Sequence, residues 1–143
     1  MVWKNYLSNI IKDCRFNSPA TGTDFLLIKK ELGIELPKKL TELFSETNGV
    51  EGKYYSYIWS TELIIRENLS IWAMEEFENY KRPDNLLFFV DAGNGDLFGY
   101  LIVQGKVQNE DIYVWNHEDS SQRVIAASLE EFIKGWYGGG ISI

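Results

Sequence analysis

Histidine and cysteine are almost missing from this chain: its 143 residues contain one of each, His117 and Cys14. A single cysteine excludes an intrachain disulfide and any paired-cysteine metal site, and it points to a reducing, cytoplasmic setting. A single histidine excludes His-pair nuclease chemistry and multi-histidine metal centres. Basic residues are also in short supply, with 14 Lys and Arg against 21 Asp and Glu, a net charge of -7 and a pI of about 4.7. Nucleic-acid binders draw affinity from Lys and Arg that neutralise phosphates, so direct nucleic-acid binding is not expected and a positively charged partner is favoured. No stretch approaches the roughly 18 apolar residues of a membrane span. The first residues lack the basic start and apolar core of a signal peptide, so neither membrane association nor export is expected. There is no repeat, low-complexity tract or linker-like run, which makes residues 1–143 one expected domain.

What is present suits a packed core. Hydrophobic residues make up 45% of the chain, and a domain of this length buries about two-thirds of its unfolded surface. Trp3, Tyr6, Leu7, Ile10 and Ile11 step by three and four, the period of a first helix. Thr23 is a suitable N-cap for a second helix ending at Gly33, with Phe25, Ile28 and Leu32 on one face. Pro37 suits the first turn of a third, whose stripe is Leu36, Leu40, Leu43 and Phe44 and whose left-handed C-cap falls at Asn48-Gly49. Residues 54–59 read as a first strand, and Ser60 caps a helical stretch holding Leu63, Ile64, Leu69 and Trp72. Within it, Asn68-Leu69-Ser70 is a glycosylation sequon of no expected use without secretion.

Strands follow at 86–91, 96–103, 112–116 and 122–126, with a polar turn at Gln104-Gly105-Lys106. Ser128 to Glu131 reads as a capping box for a last helix with Leu129, Phe132, Ile133 and Trp136 inward. Helices, then a meander of strands, then a closing helix define an α+β domain, with residues 54–126 expected to form one antiparallel sheet.

The most informative segment is 89–100, where a nearly all-apolar strand meets a second through Asn94-Gly95. That dipeptide favours a two-residue type I′ turn. Such a turn sets Asp91 opposite Phe98, Phe89 opposite Tyr100 and Phe88 opposite Leu101, with Phe88, Val90 and Leu101 in the core. Gly95→Val is then more damaging than Asp96→Ala, because Gly95 needs positive φ and Asp96 supplies only a local hydrogen bond.

No catalytic set assembles from these residues. Gly93-Asn94-Gly95 starts like a dinucleotide fingerprint, but Phe98 replaces the third glycine and a strand follows where a helix is needed. Asp91, Asn94 and Asp96 resemble part of a calcium loop, yet Gly93 and Ile102 occupy positions that need oxygen ligands. His117 has acidic neighbours in Glu118 and Asp119 but no nucleophile in a recognisable motif. No cofactor and no metal are expected. Tyr113, Trp115 and His117 share one strand parity, and an exposed aromatic row rimmed by carboxylates is what protein interfaces use for anchors.

Four landmarks stand in order: Leu36-Pro37 with Leu40, Leu43, Phe44 and Thr47-Asn48-Gly49; the 89–100 hairpin with Gly95-Asp96; Tyr113-Val114-Trp115-Asn116-His117-Glu118; and the closing helix from Ser128 to Trp136. In this order and spacing the chain resembles the SUKH superfamily over residues 23–136. Eukaryotic members of that superfamily include yeast regulators of cell-wall assembly, and bacterial members are mostly immunity proteins. The resemblance implies a compact α+β domain without enzymatic activity that binds and neutralises a cognate toxin, often a nuclease, or else a scaffold that binds several partners. The partner contacts expected on this reading are Asp91, Asn94, Asp96, Tyr100, Trp115, His117 and Glu118, since turn and strand-end residues are biased to the surface. The first helix and the glycine-rich tail after Tyr137 lie outside the resemblance.

Overall fold

The computed structural model describes residues 2–76 and 81–143. Among them, α1 (Trp3–Ile10), β1 (Arg15–Phe16), α2 (Gly22–Leu32), α3 (Lys38–Phe44), β2 (Val50–Glu51), β3 (Ser56–Ile58) and α4 (Thr61–Trp72) precede a meander of β4 (Leu86–Asp91), β5 (Leu97–Val103), β6 (Lys106–Trp115) and β7 (Gln122–Ala126). The helix α5 (Leu129–Gly138) closes the domain. The α+β class is as expected, but the single sheet is not. Strands β1-β2-β3 form one antiparallel sheet and β4-β5-β6-β7 another. The two meet where the Trp59 N–H donates to the Phe89 carbonyl at 2.9 Å.

Local chemistry accounts for the element ends, and in several places it corrects the sequence expectation. The cap of α2 is Thr21, two residues before Thr23, because Asp24 at the third helical position completes a reciprocal box with it. The helix α3 is shorter than expected and ends at Ser45, so Asn48-Gly49 lies beyond it. There Asn48 turns outward to cap the start of α4, its Oδ1 accepting the Thr61 N–H at 2.8 Å. Ser60 caps α4 as expected, accepting from Leu63 N–H. At α5, Ser128 accepts from Glu131 N–H, while the Glu131 carboxylate reaches the N–H of Ala127 and not that of Ser128.

The β4–β5 connection is not a two-residue turn. Asp91 pairs with Leu97, Val90 with Phe98, Phe88 with Gly99, Leu87 with Tyr100 and Leu86 with Leu101, with a register shift between Phe88 and Val90. Positive φ falls on Gly93 (91°) and Gly95 (102°) and not on Asn94, and the Ala92 N–H to Asp96 carbonyl bond of 2.9 Å closes the loop. The pair of positive φ angles that a type I′ turn needs occurs one hairpin later, at Gln104 (52°) and Gly105 (77°), where Val103 pairs with Lys106.

All residues of β4 except Asp91 are buried, the pattern of a strand covered on both faces. Phe88 lies 6.2 Å from the Trp115 ring on one side, and Phe89 lies 5.5 Å from Phe132 of α5 on the other. Its outer edge is covered as well. Asn68 of α4 accepts the Phe88 N–H and donates to the Phe88 carbonyl, both at 2.8 Å, and Trp72 Nε1 donates to the Leu86 carbonyl at 2.9 Å. Side chains of α4 thus occupy positions a neighbouring strand would otherwise fill. Phe88 and Val90 are core as expected, whereas Leu101 is half-buried. The tail past α5 folds back on it, the N–H groups of Gly139, Gly140 and Ile141 all reaching the Gly135 carbonyl.

Candidate functional site

The β4–β5 loop and the loop after β6 converge through one buried carboxylate. Asp96 is only 6% exposed; its Oδ1 accepts the His117 N–H at 3.1 Å and meets His117 Nδ1 at 2.6 Å. The Asp96 N–H in turn donates to Asn94 Oδ1 at 3.0 Å. Asp96 is therefore not the local turn carboxylate that its sequence neighbours suggest. It fixes both backbone and ring of a residue 21 positions away. The loop after β6 is shaped by its own polar side chains: Asn116 Oδ1 accepts the Glu118 and Asp119 N–H groups, and Ser120 takes a φ of 60°. Hydrogen bonds from the Ser121 hydroxyl and N–H hold the Asp119 carboxyl below its ordinary range.

His117 faces a cleft of about 540 Å³ between α4 and the β4–β5 loop. Leu63, Glu67 and Ile71, spaced by four on one stripe of α4, form one wall. Leu97 and Trp115 form the other, Trp59 contributes from the end of β3, and Asp91 and His117 sit at the rim. A second cleft of about 550 Å³ shares Asp91 and is bounded by Tyr55, Trp136 and Tyr137. Tyr54 and Tyr55, expected as strand residues, precede β3, which begins only at Ser56, and stand 82% and 60% exposed, Tyr55 at the edge of this cleft.

Of the expected contacts, the fold brings Asp91, Trp115 and His117 into one cleft and leaves Asn94 and Glu118 exposed on the two loops that flank it. Asp96 lies behind them. Tyr100 is not a surface residue: it is fully buried against Phe89, with ring centroids 5.1 Å apart. Burial, reinforced by Glu110 and Glu130, pushes its hydroxyl well above the ordinary tyrosine range. Nor do Tyr113, Trp115 and His117 form an exposed row, since Trp115 is 4% exposed and its ring packs inward on Phe88. The residues missed by sequence reasoning are Trp59 and Glu67. Their shared site depends on how α4 lies against the sheet, which no local pattern encodes, although the step of four from Leu63 to Glu67 to Ile71 does mark them as one helix face.

The geometry suits binding better than covalent catalysis. Asp96 orients His117 as an acid orients a general base, but the described residues lining the cleft include no Ser, Thr or Cys. Cys14 immediately precedes β1, is not among them, and burial raises its thiol pKa, which disfavours the thiolate. Among the described residues no group of three or more His, Cys, Asp or Glu side chains is placed to hold a metal ion, and no helix is long and apolar enough to cross a membrane.

Gly95 and Asp96 act on the same ring, which makes them a test of the site. A β-carbon on Gly95 falls 3.0 Å from the His117 ring, at a φ that side chains rarely adopt. Gly95→Val and Asp96→Ala are each expected to destabilise by about 1 to 3 kcal/mol, the first through strain and the second through loss of two hydrogen bonds. The double variant should fall short of the sum by more than about 0.5 kcal/mol, because both changes release His117. Strict additivity in urea denaturation would show that the two residues act independently.

No curated protein matches the chain. A family model does: SUKH_6, described as SMI1-KNR4 cell-wall, matches residues 24–133, which include the helices α3 and α4, both clefts' loops and the first half of α5. The match covers well over half of the sequence, and the chain belongs to the SUKH superfamily.

Proposed function

We propose that this protein is a cytoplasmic immunity protein that binds a cognate toxin, with a basic nuclease domain as the expected type, and neutralises it by one-to-one occlusion without turnover of any substrate. The observation that carries this reading is the family match over residues 24–133. The acidic balance of the chain and the pairing of carboxylates with aromatic walls around Asp91 support it. An acidic face steers a basic partner and raises the association rate more than it lengthens the bound lifetime.

The contacts we assign to the partner are Asp91, Asn94, His117 and Glu118, with Trp115 as a wall behind them and Asp96 as the residue that positions His117. Co-expression with the product of the adjacent gene should rescue cells from that product. Raising salt should slow association far more than it speeds dissociation, and the pair Asp91→Asn and Glu118→Gln should lower both the on-rate and its salt slope. An on-rate indifferent to salt would remove the electrostatic part of this reading, and failure of rescue would remove the immunity assignment for that pair. A regulatory scaffold is the second reading, favoured by the cell-wall description of the matched family. Capture of several unrelated partners of comparable affinity, with no toxin among them, would support it instead.

A further inference from the structure

The two clefts that meet at Asp91 share a charge character. Among the described residues their lining holds the carboxylates of Glu67 and Asp91 and no Lys or Arg. The groove beside Gly33, in contrast, is lined by Lys29, Lys38 and Lys106 along with Glu35. Glu67 has only a loose contact with its neighbour Arg66, at 3.7 Å, and the Asp91 carboxylate enters no hydrogen bond or ion pair among the described residues. His117 adds to this character. In the tautomer that carries its proton on Nδ1, facing Asp96 at 2.6 Å, the ring offers Nε2 as an acceptor.

Among the described residues the charged groups of the first cleft, Glu67 and Asp91, accept hydrogen bonds, as does Nε2 of that His117 tautomer, and the walls between them are apolar, with Leu63, Ile71, Leu97, Trp59 and Trp115. An apolar cleft edged by acceptors suits a cation on a long apolar stem. Arginine fits it better than lysine. Its guanidinium is flat and weakly hydrated, stacks on aromatic rings, and forks onto a carboxylate while sparing N–H groups for a second acceptor. We infer that the cleft between α4 and the β4–β5 loop is a receptor for an arginine side chain of a partner protein, with Asp91 pairing its guanidinium and His117, held by Asp96, accepting a further N–H. This rests on reading the same face as the partner face, and it adds the chemical group that is captured.

The test needs no toxin. Acetyl-arginine-amide is titrated into the isotopically labelled full chain, with acetyl-citrulline-amide as its uncharged counterpart, and the Trp59, Trp115 and His117 resonances are followed. Saturable shifts with arginine, at least about tenfold weaker with citrulline, are expected, and Asp91→Asn should weaken arginine binding by about tenfold while leaving the remaining spectrum in place. Equal shifts from citrulline, shifts confined to other surfaces, no shifts at all, or full affinity in Asp91→Asn would each overturn the receptor. The outcome is separable from that of the immunity reading: arginine capture without rescue of toxin-expressing cells sinks the latter alone, and rescue without arginine capture sinks the former alone.

Discussion

Phe88→Ala is expected to lower the unfolding free energy by about 3 to 5 kcal/mol, the range for truncating a fully buried aromatic. Phe88 is 0% exposed, and the site has little freedom to collapse onto the lost ring. Its backbone is fixed on one edge by Asn68 and on the other by pairing with Gly99. The ring lies directly over that glycine, where a β-carbon would come within 3.0 Å of the Phe88 ring and 2.6 Å of the Leu87 carbonyl oxygen. Gly99 thus makes room for Phe88, and removing the phenyl group leaves a void between two close backbones and the Trp115 ring. Urea denaturation reads the effect as a lowered midpoint at unchanged slope. A midpoint equal to that of the parent would contradict the packing.

The long helices and the meander were legible because they repeat a pattern often enough to be read. Residues 3–11 carry a helical period, 86–90 a run of buried apolar residues, and Ser60 and Ser128 stand where caps belong. Strands β1 and β2 are two residues each, too short for any period, so the first sheet was invisible and β3 was assigned to the wrong one. The Asn94-Gly95 turn failed for a different reason. Gly93 offers a second position tolerant of positive φ, and a longer loop lets Asp96 turn inward to His117. A two-residue turn has no such reach.

The candidate site was legible only in part, and the division follows side-chain direction. Asp91 ends β4 and His117 follows β6 by two residues, so both were legible as surface-biased positions, although it is Asp96 that fixes His117. Whether a strand residue faces solvent depends on which layer covers that face, and both faces of β5 and β6 are covered at Tyr100 and Trp115. Strand parity therefore misassigned Trp115 to the surface, and the surface bias of turn and strand-end residues misassigned Tyr100. The wall of the cleft belongs to α4, whose position is set by a polar contact with a strand 20 residues away.

That contact carries the other large expected effect. Asn68→Leu, which keeps the number and branching of the side-chain heavy atoms, is expected to destabilise the domain by roughly 2 to 6 kcal/mol, because it strands two buried backbone groups of Phe88 at about 1 to 3 kcal/mol each. Asn68 is 0% exposed; its Nδ2 donates to the Ile64 and Phe88 carbonyls and its Oδ1 accepts the Phe88 N–H, all at 2.8 Å. The neighbouring bonds along that strand go to other carbonyls, the Trp72 indole to Leu86 and the Trp59 N–H to Phe89, so among the described residues Asn68 alone serves the outward groups of Phe88. Asn68→Asp keeps the acceptor for the Phe88 N–H but sets a carboxylate against its carbonyl, so it should not rescue. Hydrogen exchange at the Phe88 amide separates this account from a general loss of packing: its protection should fall by more than that of Leu7 or Leu40, which lie in the core away from the edge. The consequence reaches the cleft, because Leu63, Glu67 and Ile71 flank Asn68 on the same helix and hold their distance from Leu97 and Trp115 only while α4 is pinned to β4. Equal stability and unchanged Phe88 exchange in Asn68→Leu would show that packing alone keeps α4 in place.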